Sequence, residues 1–577
     1  MSSTKRLARF YFICFIFFGL LLTFAFRLIF IQVFSSQYLT SLASKQHNIY
    51  LEIPPQRGFI YDRNLNSLVV NLRSYSLFAV PNQIKNKPKM ASYLHKLLNM
   101  DEDAILKKIS SKKSFVWLKR KLPDQISVKI RDSKFDGLYL LKEDKRSLPN
   151  GVFLSHVLGF TNIDNVGLEG VELVCNNYLK GVPGYAFFTR DAHQNPLRLE
   201  NADKIPQDGY DVVLTIDRMI QYIAESALDE AYRKNNAKGT CIVVMDPNSG
   251  EVLALANRPS FDPNNPQNSP QESRRNRAIC DFFEPGSVFK IVTASAALEE
   301  NTFTESDKIY CENGEYRVAN HILHDHTSHG WLTFEEVIEQ SSNIGVTKIA
   351  QQLGLEKVCR YAKSFGFGEV SNIGLPGESK GMLKPLSAYS KTSIGAVPMG
   401  HEVTVTTLQL ASAISVIANG GLYYKPYIIK TVVDKYGEII KEINPQCLRR
   451  VISEKTSSRM KRILTDVVEV GTGKLAKSKI YSFGGKTGTA QKIEPNGIYS
   501  HSKFFASFIG FAPADNPRLA IAVVMDEPHP NYYGGVVSAP VFKKVAEESL
   551  KYLDTQEKMR TLTEAKADEV SLSNSRN

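Results

Sequence analysis

Cysteine is scarce in this 577-residue sequence, and its few copies form no motif. None of the seven cysteines is paired with another in a CxxC spacing. This distribution excludes a cysteine-based metal cluster and the dense disulfide framework of small secreted domains. Internal repeats are also missing, so the sequence lacks the periodicity of a solenoid.

Acidic residues are fewer than basic ones. Lysine and arginine number 71 against 59 aspartates and glutamates, which gives a formal net charge of +12. Such a balance suits nucleic acid, anionic lipid or another anionic polymer as a partner. The excess cations are spread along the chain, however, without zinc-finger spacing or a basic helix with interleaved aromatics. We therefore predict a solvated basic surface and no nucleic-acid partner.

A long hydrophobic run near the N-terminus predicts a membrane anchor. Three cationic residues precede residues 10–34, which are apolar apart from a few positions such as Arg27. As a helix these 25 residues would span about 37 Å, more than the roughly 30 Å of a bilayer core. A cleaved signal peptide would have a shorter apolar region and a small-x-small cleavage site, which we do not find. We predict an uncleaved single-pass anchor in the inner membrane, with residues 1–9 cytoplasmic and the remainder outside.

The rest of the chain predicts two folded regions. Residues 35–205 have mixed patterning and no catalytic constellation, which indicates a non-catalytic module. Residues 206–553 begin with a strand, a helix and a hairpin, continue through helices and end with three strands. Two early and three late strands imply an α+β fold in which one antiparallel five-stranded sheet lies between helices. Residues 554–577 are polar without periodicity, and we predict a disordered tail there.

The stretch "EPGSVFKIVTA" (residues 284–294) contains a candidate nucleophile. It places Ser287 three residues before Lys290, just after a Pro-Gly pair that should open a helix. Side chains three residues apart on a helix lie on one face and can touch. A serine hydroxyl is a poor nucleophile until a base takes its proton. A partly buried lysine can be that base.

Two further triplets strengthen this interpretation. "SSN" places Ser341 and Asn343 after a helix-like segment, and "GGKTGTAQ" places Lys486, Thr487 and Gly488 at the opening of a strand. Each pattern alone is weak, because Ser-x-x-Lys and Ser-x-Asn both recur in the chain where no chemistry is expected. Singly, each residue is explained as a surface charge, a cap or a bulge. Their order and structural settings together indicate an enzyme.

These triplets resemble the motif set of the penicillin-binding proteins. "RGFIYDRN" is similar to the N-terminal module motif of the class B members, "LTID" to the entry of their transpeptidase domain, and "GLPGE" to a later landmark. "VGTGKLA" with "GGKTGTAQK" and "FASFIGFAPADNPRLAIAVVMDEP" resembles the cell-division, FtsI-like branch most. The resemblance implies the penicillin-binding transpeptidase fold, with residues 35–205 as an elongated dimerisation or pedestal domain before it.

The motif residues and this resemblance suggest a role for each residue. Ser287 would attack a carbonyl carbon, Lys290 would accept its proton, and Ser341 would relay a proton to the departing amine. Lys290 then needs a pKa well below about 10.4, through desolvation or a cationic neighbour such as Lys486. The backbone N–H groups of Ser287 and Thr489 would form an oxyanion hole. The predicted substrate-binding residues are Asn343, Lys486, Thr487, Gly488 and Thr489.

The resemblance also implies a reaction and its partners. The donor would be the D-Ala-D-Ala end of a peptidoglycan stem peptide, and the acceptor an amine of a second stem. Crosslinking would serve septal cell-wall synthesis, and β-lactam antibiotics would inhibit it. By analogy, a membrane-embedded glycan polymerase and other divisome proteins are expected partners. No cofactor is expected.

One polar cluster suggests a metal site instead. "HILHDHTSHG" holds five side chains that could bind zinc, namely His321, His324, Asp325, His326 and His329. The segment also resembles the polar loop before Ser-x-Asn in penicillin-binding proteins, and the proposed chemistry needs no metal. We therefore predict no metal at this cluster.

Other members of the same broad group are alternatives. A β-lactamase or carboxypeptidase would share the triplets, but the predicted anchor and the 150-residue preceding module argue against both. A bifunctional polymerase would need an acidic glycosyltransferase motif before residue 205, and none is found. An elongation-type transpeptidase and a non-enzymatic penicillin-sensing receptor remain open. "SIGAVPMGHEV" (residues 393–403) departs from the glycine-rich wording of the family, so the substrate groove should differ there.

Overall fold

The computed structural model describes residues 3–39, 48–113, 115–190, 196–199, 204–494 and 496–574. The chain divides into two compact units. The first comprises Met1–Gln56 with Gly181–Gly209, and the second comprises Arg57–Lys180 with Tyr210–Asn577. We describe each unit separately.

The first unit contains the predicted anchor. Helix Ser3–Ile29 continues into a π-helical turn, Phe30–Phe34. Residues Leu7–Phe34 have a mean hydropathy of 2.5 and are not buried by protein. At about 1.5 Å per residue these 28 residues span roughly 42 Å. The helix is therefore compatible with a single-pass membrane anchor. The unit also has a three-stranded antiparallel sheet, in the order Asn48–Ile53, Gly184–Arg190, Pro196–Leu199.

A seven-stranded sheet in the second unit combines strands from before and after residue 205. Ile60–Tyr61, from the predicted non-catalytic module, pairs in parallel with Asp211–Leu214, from the predicted catalytic region. The Asp62 carboxylate accepts hydrogen bonds from the backbone N–H groups of Asn64 and Asn66, which forms the turn between Ile60–Tyr61 and Ser67–Ala79. The sheet order is Ile439–Glu442, Ile429–Val433, Asp211–Leu214, Ile60–Tyr61, Ser67–Ala79, Val116–Leu122, with Leu138–Ser147 also pairing with Ser67–Ala79.

A buried ion cluster lies beside this sheet. The carboxylate of Glu172 is fully buried and accepts hydrogen bonds from Arg57 Nε at 2.8 Å and Arg146 Nε at 2.6 Å. Both arginines are themselves at least 94% buried. Two buried cations are thus compensated by one carboxylate and by neighbouring oxygens such as Asn71 Oδ1.

The catalytic sheet has five antiparallel strands, as the sequence predicts. They are β1 Gly239–Met245, β2 Val252–Arg258, β3 Gly484–Ile493, β4 Tyr499–Ala512 and β5 Leu519–Asp526. Their order is β2-β1-β5-β4-β3, so β3 is an edge strand. Every residue of β1 and β2 is buried, because helices cover both faces. Val243 packs in the core with helix Thr407–Ala418, whereas Val244 packs in the core with helix Arg218–Lys234.

Helices complete the second unit. Asp217 caps helix Arg218–Lys234, since its Oδ1 accepts from the N–H groups of Met219 and Ile220. The helices are Lys87–Leu98, Glu102–Ile109, Asp124–Asp132, Ser155–Leu158, Gly170–Val174, Asn176–Leu179, Arg218–Lys234, Arg277–Cys280, Lys290–Glu299, Phe334–Glu339, Asn343–Leu353, Leu355–Ser364, Ser393–Ala396, Thr407–Ala418, Glu454–Glu469, Gly534–Val537 and Ala539–Asn574. Three strand pairs remain, Lys308–Tyr310 with Trp331–Thr333, Glu315–Val318 with His321–His324, and Leu422–Tyr424 with Cys447–Arg450.

The C-terminal segment corrects one prediction. Instead of a disordered tail from residue 554, the last helix runs through Ala539–Asn574. Residues 554–574 contain no glycine or proline, and many are good helix formers, so nothing in the sequence stops the helix. Asp554 also anchors this extension, because its carboxylate accepts hydrogen bonds from Tyr481 and Arg518. The last three residues of the predicted tail lie outside the described residues.

Candidate active site

Ser287 lies on a 3₁₀ turn that leads into a helix. The turn Gly286–Phe289 is followed directly by helix Lys290–Glu299, as the sequence predicts. Gly286 has a φ of 57°, in the left-handed region that favours glycine. A Cβ at this position would lie 3.2 Å from the Thr489 carbonyl oxygen, so the turn packs directly against β3.

Lys290 connects this turn to the Ser-x-Asn segment. Its side chain is fully buried. The amine Nζ donates to the Ser341 carbonyl oxygen at 2.5 Å and to Asn343 Oδ1 at 2.8 Å, and it lies 3.2 Å from Ser341 Oγ. Among the described residues the Ser287 hydroxyl forms no hydrogen bond, so the structure shows no hydrogen bond between Ser287 and Lys290. The structure instead joins the lysine of the first motif to both polar residues of the second.

Burial changes the protonation of both site lysines. Desolvation lowers the pKa of Lys290 to about 7, although the negative charge of Asp325 opposes this shift. Lys486 is also fully buried, and its pKa falls well below the ordinary value through desolvation and then repulsion by Lys290. We predicted that Lys486 would help lower the pKa of Lys290. Burial is the main cause at both lysines, because an ammonium loses its hydration there.

The Ser341–Asn343 segment is a sharp connection between two helices. Helix Phe334–Glu339 ends just before it, Ser341 has a left-handed φ of 60°, and helix Asn343–Leu353 begins after it. Asp325 fixes this geometry. Its carboxylate accepts from Ser342 Oγ at 2.6 Å and from the backbone N–H of Asn343 at 2.5 Å. Ser341 and Asn343 are thereby held toward Lys290.

Asp325 comes from the histidine-rich segment, and its role there is structural. Within the described residues, the histidines of that segment do not gather with it into a three-ligand group. His321 and His324 lie on a strand that pairs with Glu315–Val318. His326 stacks on Tyr533, with ring centroids 5.4 Å apart and nearly parallel planes. Of these five residues, Asp325 is the one whose side chain is seen to support the Ser-x-Asn segment.

Strand β3 carries the remaining motif. Alternation along the strand places Thr487 and Thr489 on one face, and Lys486 and Gly488 on the other. Thr489 Oγ1 accepts from the backbone N–H of Gly534 at 3.1 Å. Thr487 Oγ1 lies 3.0 Å from Thr472 Oγ1. Both hydroxyls therefore lie on the face of β3 opposite Gly488, where they contact Gly534 and Thr472.

Packing also requires a glycine at position 488, one of the predicted substrate-binding residues. A Cβ there would lie 2.4 Å from Ser507 Oγ and 2.9 Å from Val288 Cγ1. The missing side chain therefore lets the Ser287 turn pack against β3.

Two supporting residues were not found from the sequence. Asp325 holds the Ser-x-Asn segment, and Glu284 lies buried beside the Ser287 turn. Both residues lie in segments that the sequence marks as unusual, "HILHDHTSHG" and "EPGSVFKIVTA", and this was the only indication of a role. What they contact depends on residues far along the chain, which the spacing does not give.

A serine at the start of a helix, two buried lysines and an edge strand of a five-stranded antiparallel sheet define a serine acyl-transferase of the penicillin-recognising class. Comparisons with known proteins agree. Residues 240–547 match the penicillin binding protein transpeptidase domain, and residues 52–214 match the penicillin-binding protein dimerisation domain.

Known relatives cover nearly the whole chain. Stage V sporulation protein D of Bacillus subtilis is 38% identical over 91% of this chain and 82% of its own length. The peptidoglycan D,D-transpeptidase FtsI of Escherichia coli K12 is 31% identical over 89% of this chain and 87% of its own. The crystal structure of penicillin binding protein 3 from Mycobacterium tuberculosis with aztreonam has a TM-score of 0.69 and 28% identity, covering 87% of this chain and 97% of that one.

The chain therefore belongs to the penicillin-binding protein transpeptidase family. With the dimerisation domain ahead of the catalytic one, it is a class B member of the FtsI-like type, and its activity is that of a serine-type peptidoglycan D,D-transpeptidase.

Proposed function

We propose that this transpeptidase crosslinks stem peptides during septal cell-wall synthesis, through an acyl-enzyme on Ser287 that β-lactams also form. The observation that carries the chemistry is the buried Lys290 amine, with a pKa of about 7 and hydrogen bonds to Ser341 and Asn343. A lysine with this pKa is about half neutral at pH 7 and is able to accept a proton.

Acylation uses the first two motifs. Ser287 Oγ forms a bond to the carbonyl carbon of the penultimate D-Ala while its proton passes to neutral Lys290. The N–H groups of Ser287 and Thr489 stabilise the oxyanion, each such donor being worth about 3 to 4 kcal/mol. The C–N bond to the terminal D-Ala then breaks. Its nitrogen receives the proton from Lys290 through the Ser341 hydroxyl, which lies 3.2 Å from Nζ.

Substrate binding uses the residues beside this path. Asn343 donates and accepts hydrogen bonds through its amide and can hold a substrate amide. The hydroxyls of Thr487 and Thr489 bind the terminal carboxylate, and the Lys486 amine donates an N–H hydrogen bond to it. These groups orient the donor without touching the scissile bond.

Deacylation reverses the proton path. The amine of a second stem peptide attacks the ester carbonyl and gives a proton to Lys290. The C–O bond to Ser287 breaks, and its oxygen takes the proton back. The products are a crosslinked peptide and the starting enzyme.

The late motifs and the similarity to the peptidoglycan D,D-transpeptidase FtsI of Escherichia coli support the proposed cellular role. A sporulation protein is also similar, so an elongation-type or other specialised role is the alternative. We propose that the helix Leu7–Phe34 anchors the chain with its basic N-terminus in the cytoplasm and the catalytic domain outside. A membrane-embedded glycan polymerase and divisome proteins are the proposed partners.

The chemical test is intact-mass measurement after incubation with benzylpenicillin. We expect one adduct, mapped to Ser287 and absent from Ser287→Ala. An unmodified native protein would refute the acyl-enzyme, and rapid penicillin turnover without an adduct would indicate a β-lactamase. Depletion in the source bacterium tests the role: blocked septation supports it, whereas loss of side-wall growth with normal septa refutes it.

A further inference from the structure

The carboxylate of Glu284 lies three residues before Ser287 and is 93% buried. It accepts hydrogen bonds from distant parts of the chain. His401 Nδ1 lies 2.8 Å from Oε2, and the backbone N–H of Glu402 donates to Oε1 at 2.9 Å. The hydroxyl of Tyr499 donates to Oε2 at 3.0 Å. Both oxygens of the buried carboxylate therefore have hydrogen-bond donors, as a buried polar group requires.

The first two donors belong to the turn that follows 3₁₀ helix Val397–Met399. This turn touches the Ser287 segment through the main chain as well. The Gly286 N–H donates to the Gly400 carbonyl oxygen at 3.2 Å, and a Cβ on Gly400 would lie 2.2 Å from the Gly286 oxygen. The turn lies in "SIGAVPMGHEV", the stretch that departs from family wording.

The third donor belongs to the catalytic sheet. Tyr499 begins strand β4 and pairs with Ile493 at the end of β3. Burial, and then the negative charge of Glu284, raise the pKa of the Tyr499 phenol, which therefore stays protonated and donates. The ring also packs edge-on against His401, with centroids 5.4 Å apart. Glu284 consequently joins the nucleophile segment, the 397–402 turn and the sheet.

We propose that Glu284 is a positioning residue, which fixes the Gly286–Phe289 turn so that Ser287 Oγ faces the carbonyl carbon of a substrate held along β3. Glu284 does not touch the substrate. The groups that bind the substrate carboxylate and amide lie on β3 and at Asn343, so Glu284 governs the reaction step and not binding. This inference rests on the proposed acylation of Ser287.

The test separates the acylation rate constant k2 from the pre-acylation dissociation constant Ks, by stopped-flow with a fluorescent penicillin on the full-length protein in detergent. Glu284→Gln keeps the size of the side chain and removes its charge. We expect k2 to fall about tenfold or more with Ks changed less than about twofold, since small misplacements of reacting atoms are costly. Tyr499→Phe removes one donor and should lower k2 about threefold.

Glu305→Gln is the matched control. Glu305 is ion-paired to Arg459 and Arg462 away from the nucleophile segment, so its loss should leave k2 and Ks unchanged. Unchanged k2 in both test variants overturns the inference. A fall in the acylated fraction with unchanged k2 also overturns it, because it indicates a purely structural role. No acylation of the native protein refutes the proposed function itself, and this inference with it.

Discussion

The protonation state of Lys290 makes the acylation rate depend on pH in a defined way. Only the neutral amine accepts the Ser287 proton, and burial lowers the pKa of Lys290 to about 7. The neutral fraction then rises from about 10% at pH 6 to about 90% at pH 8. We expect k2/Ks for benzylpenicillin to increase about ninefold over this interval, with its midpoint near pH 7.

Asp325 offers a directional check on this reasoning. Its carboxylate raises the pKa of Lys290 against the effect of burial. Asp325→Asn removes that charge, so the midpoint should move to lower pH while the acylated fraction stays complete. Asp307→Asn is the control, because Asp307 caps the Thr304 N–H in an exposed turn and should leave the midpoint unchanged.

The assay is the rate of fluorescent-penicillin acylation between pH 5.5 and 9, followed by stopped-flow. A rate that does not change across this range, or one that is still rising steeply at pH 9 as an ordinary lysine pKa of about 10.4 requires, would refute Lys290 as the base. A midpoint that moves upward in Asp325→Asn would refute the electrostatic assignment. Thermal denaturation of each variant at each pH excludes unfolding as the cause.

Three further outcomes follow from the same structure. Lys290→Met should abolish acylation yet raise the free energy of unfolding at pH 7 by up to about 4 kcal/mol in urea titrations, because a folded pKa near 7 penalises folding below about pH 10.5. For the same reason the native protein should gain stability as the pH rises from 7. A stability that does not change with pH over this range would contradict the prediction. Glu172→Gln should lower the free energy of unfolding by about 3 to 5 kcal/mol, since it leaves two buried arginines without a compensating carboxylate. Asp164→Asn, at an exposed position, should lower it by less than about 0.5 kcal/mol. Equal melting temperatures of the two variants would refute this difference. Gly488→Ala should lower k2 about tenfold or more by displacing the turn that carries the nucleophile. A native k2 in that variant would contradict this, because it would mean that the neighbouring side chains accommodate the methyl group without moving the turn.

The catalytic sheet illustrates how much local pattern determines. The hairpin of β1 and β2 and the three late strands are legible as short runs bounded by turn residues, and their number and antiparallel arrangement were predicted correctly. The motif lysines were placed correctly at a helix start and on a strand. The N-terminal helix was likewise predicted correctly, because the length of an apolar run can be read directly from the sequence.

Contacts between distant segments were decided only by the tertiary structure. Sequence spacing suggested that Lys290 touches Ser287, yet its amine bonds to Ser341 and Asn343, about fifty residues away. Its lowered pKa comes from complete burial, which depends on how helices and sheet close around it. Gly488 was expected to bind substrate, and only the tertiary structure shows that it also lets Val288 pack against β3.

The sequence by itself therefore determined which chemical groups this protein carries, in what order, and on which kinds of element. Periodicity, caps and turn residues act over a few neighbours, so they can be read from the chain. Only the tertiary structure decided that Asp325 holds the Ser-x-Asn segment, that Glu284 joins three segments beside Ser287, and that strands on both sides of residue 205 share one sheet. Those contacts join residues 17 to more than 200 positions apart, and desolvation at their meeting point sets the protonation that the chemistry needs.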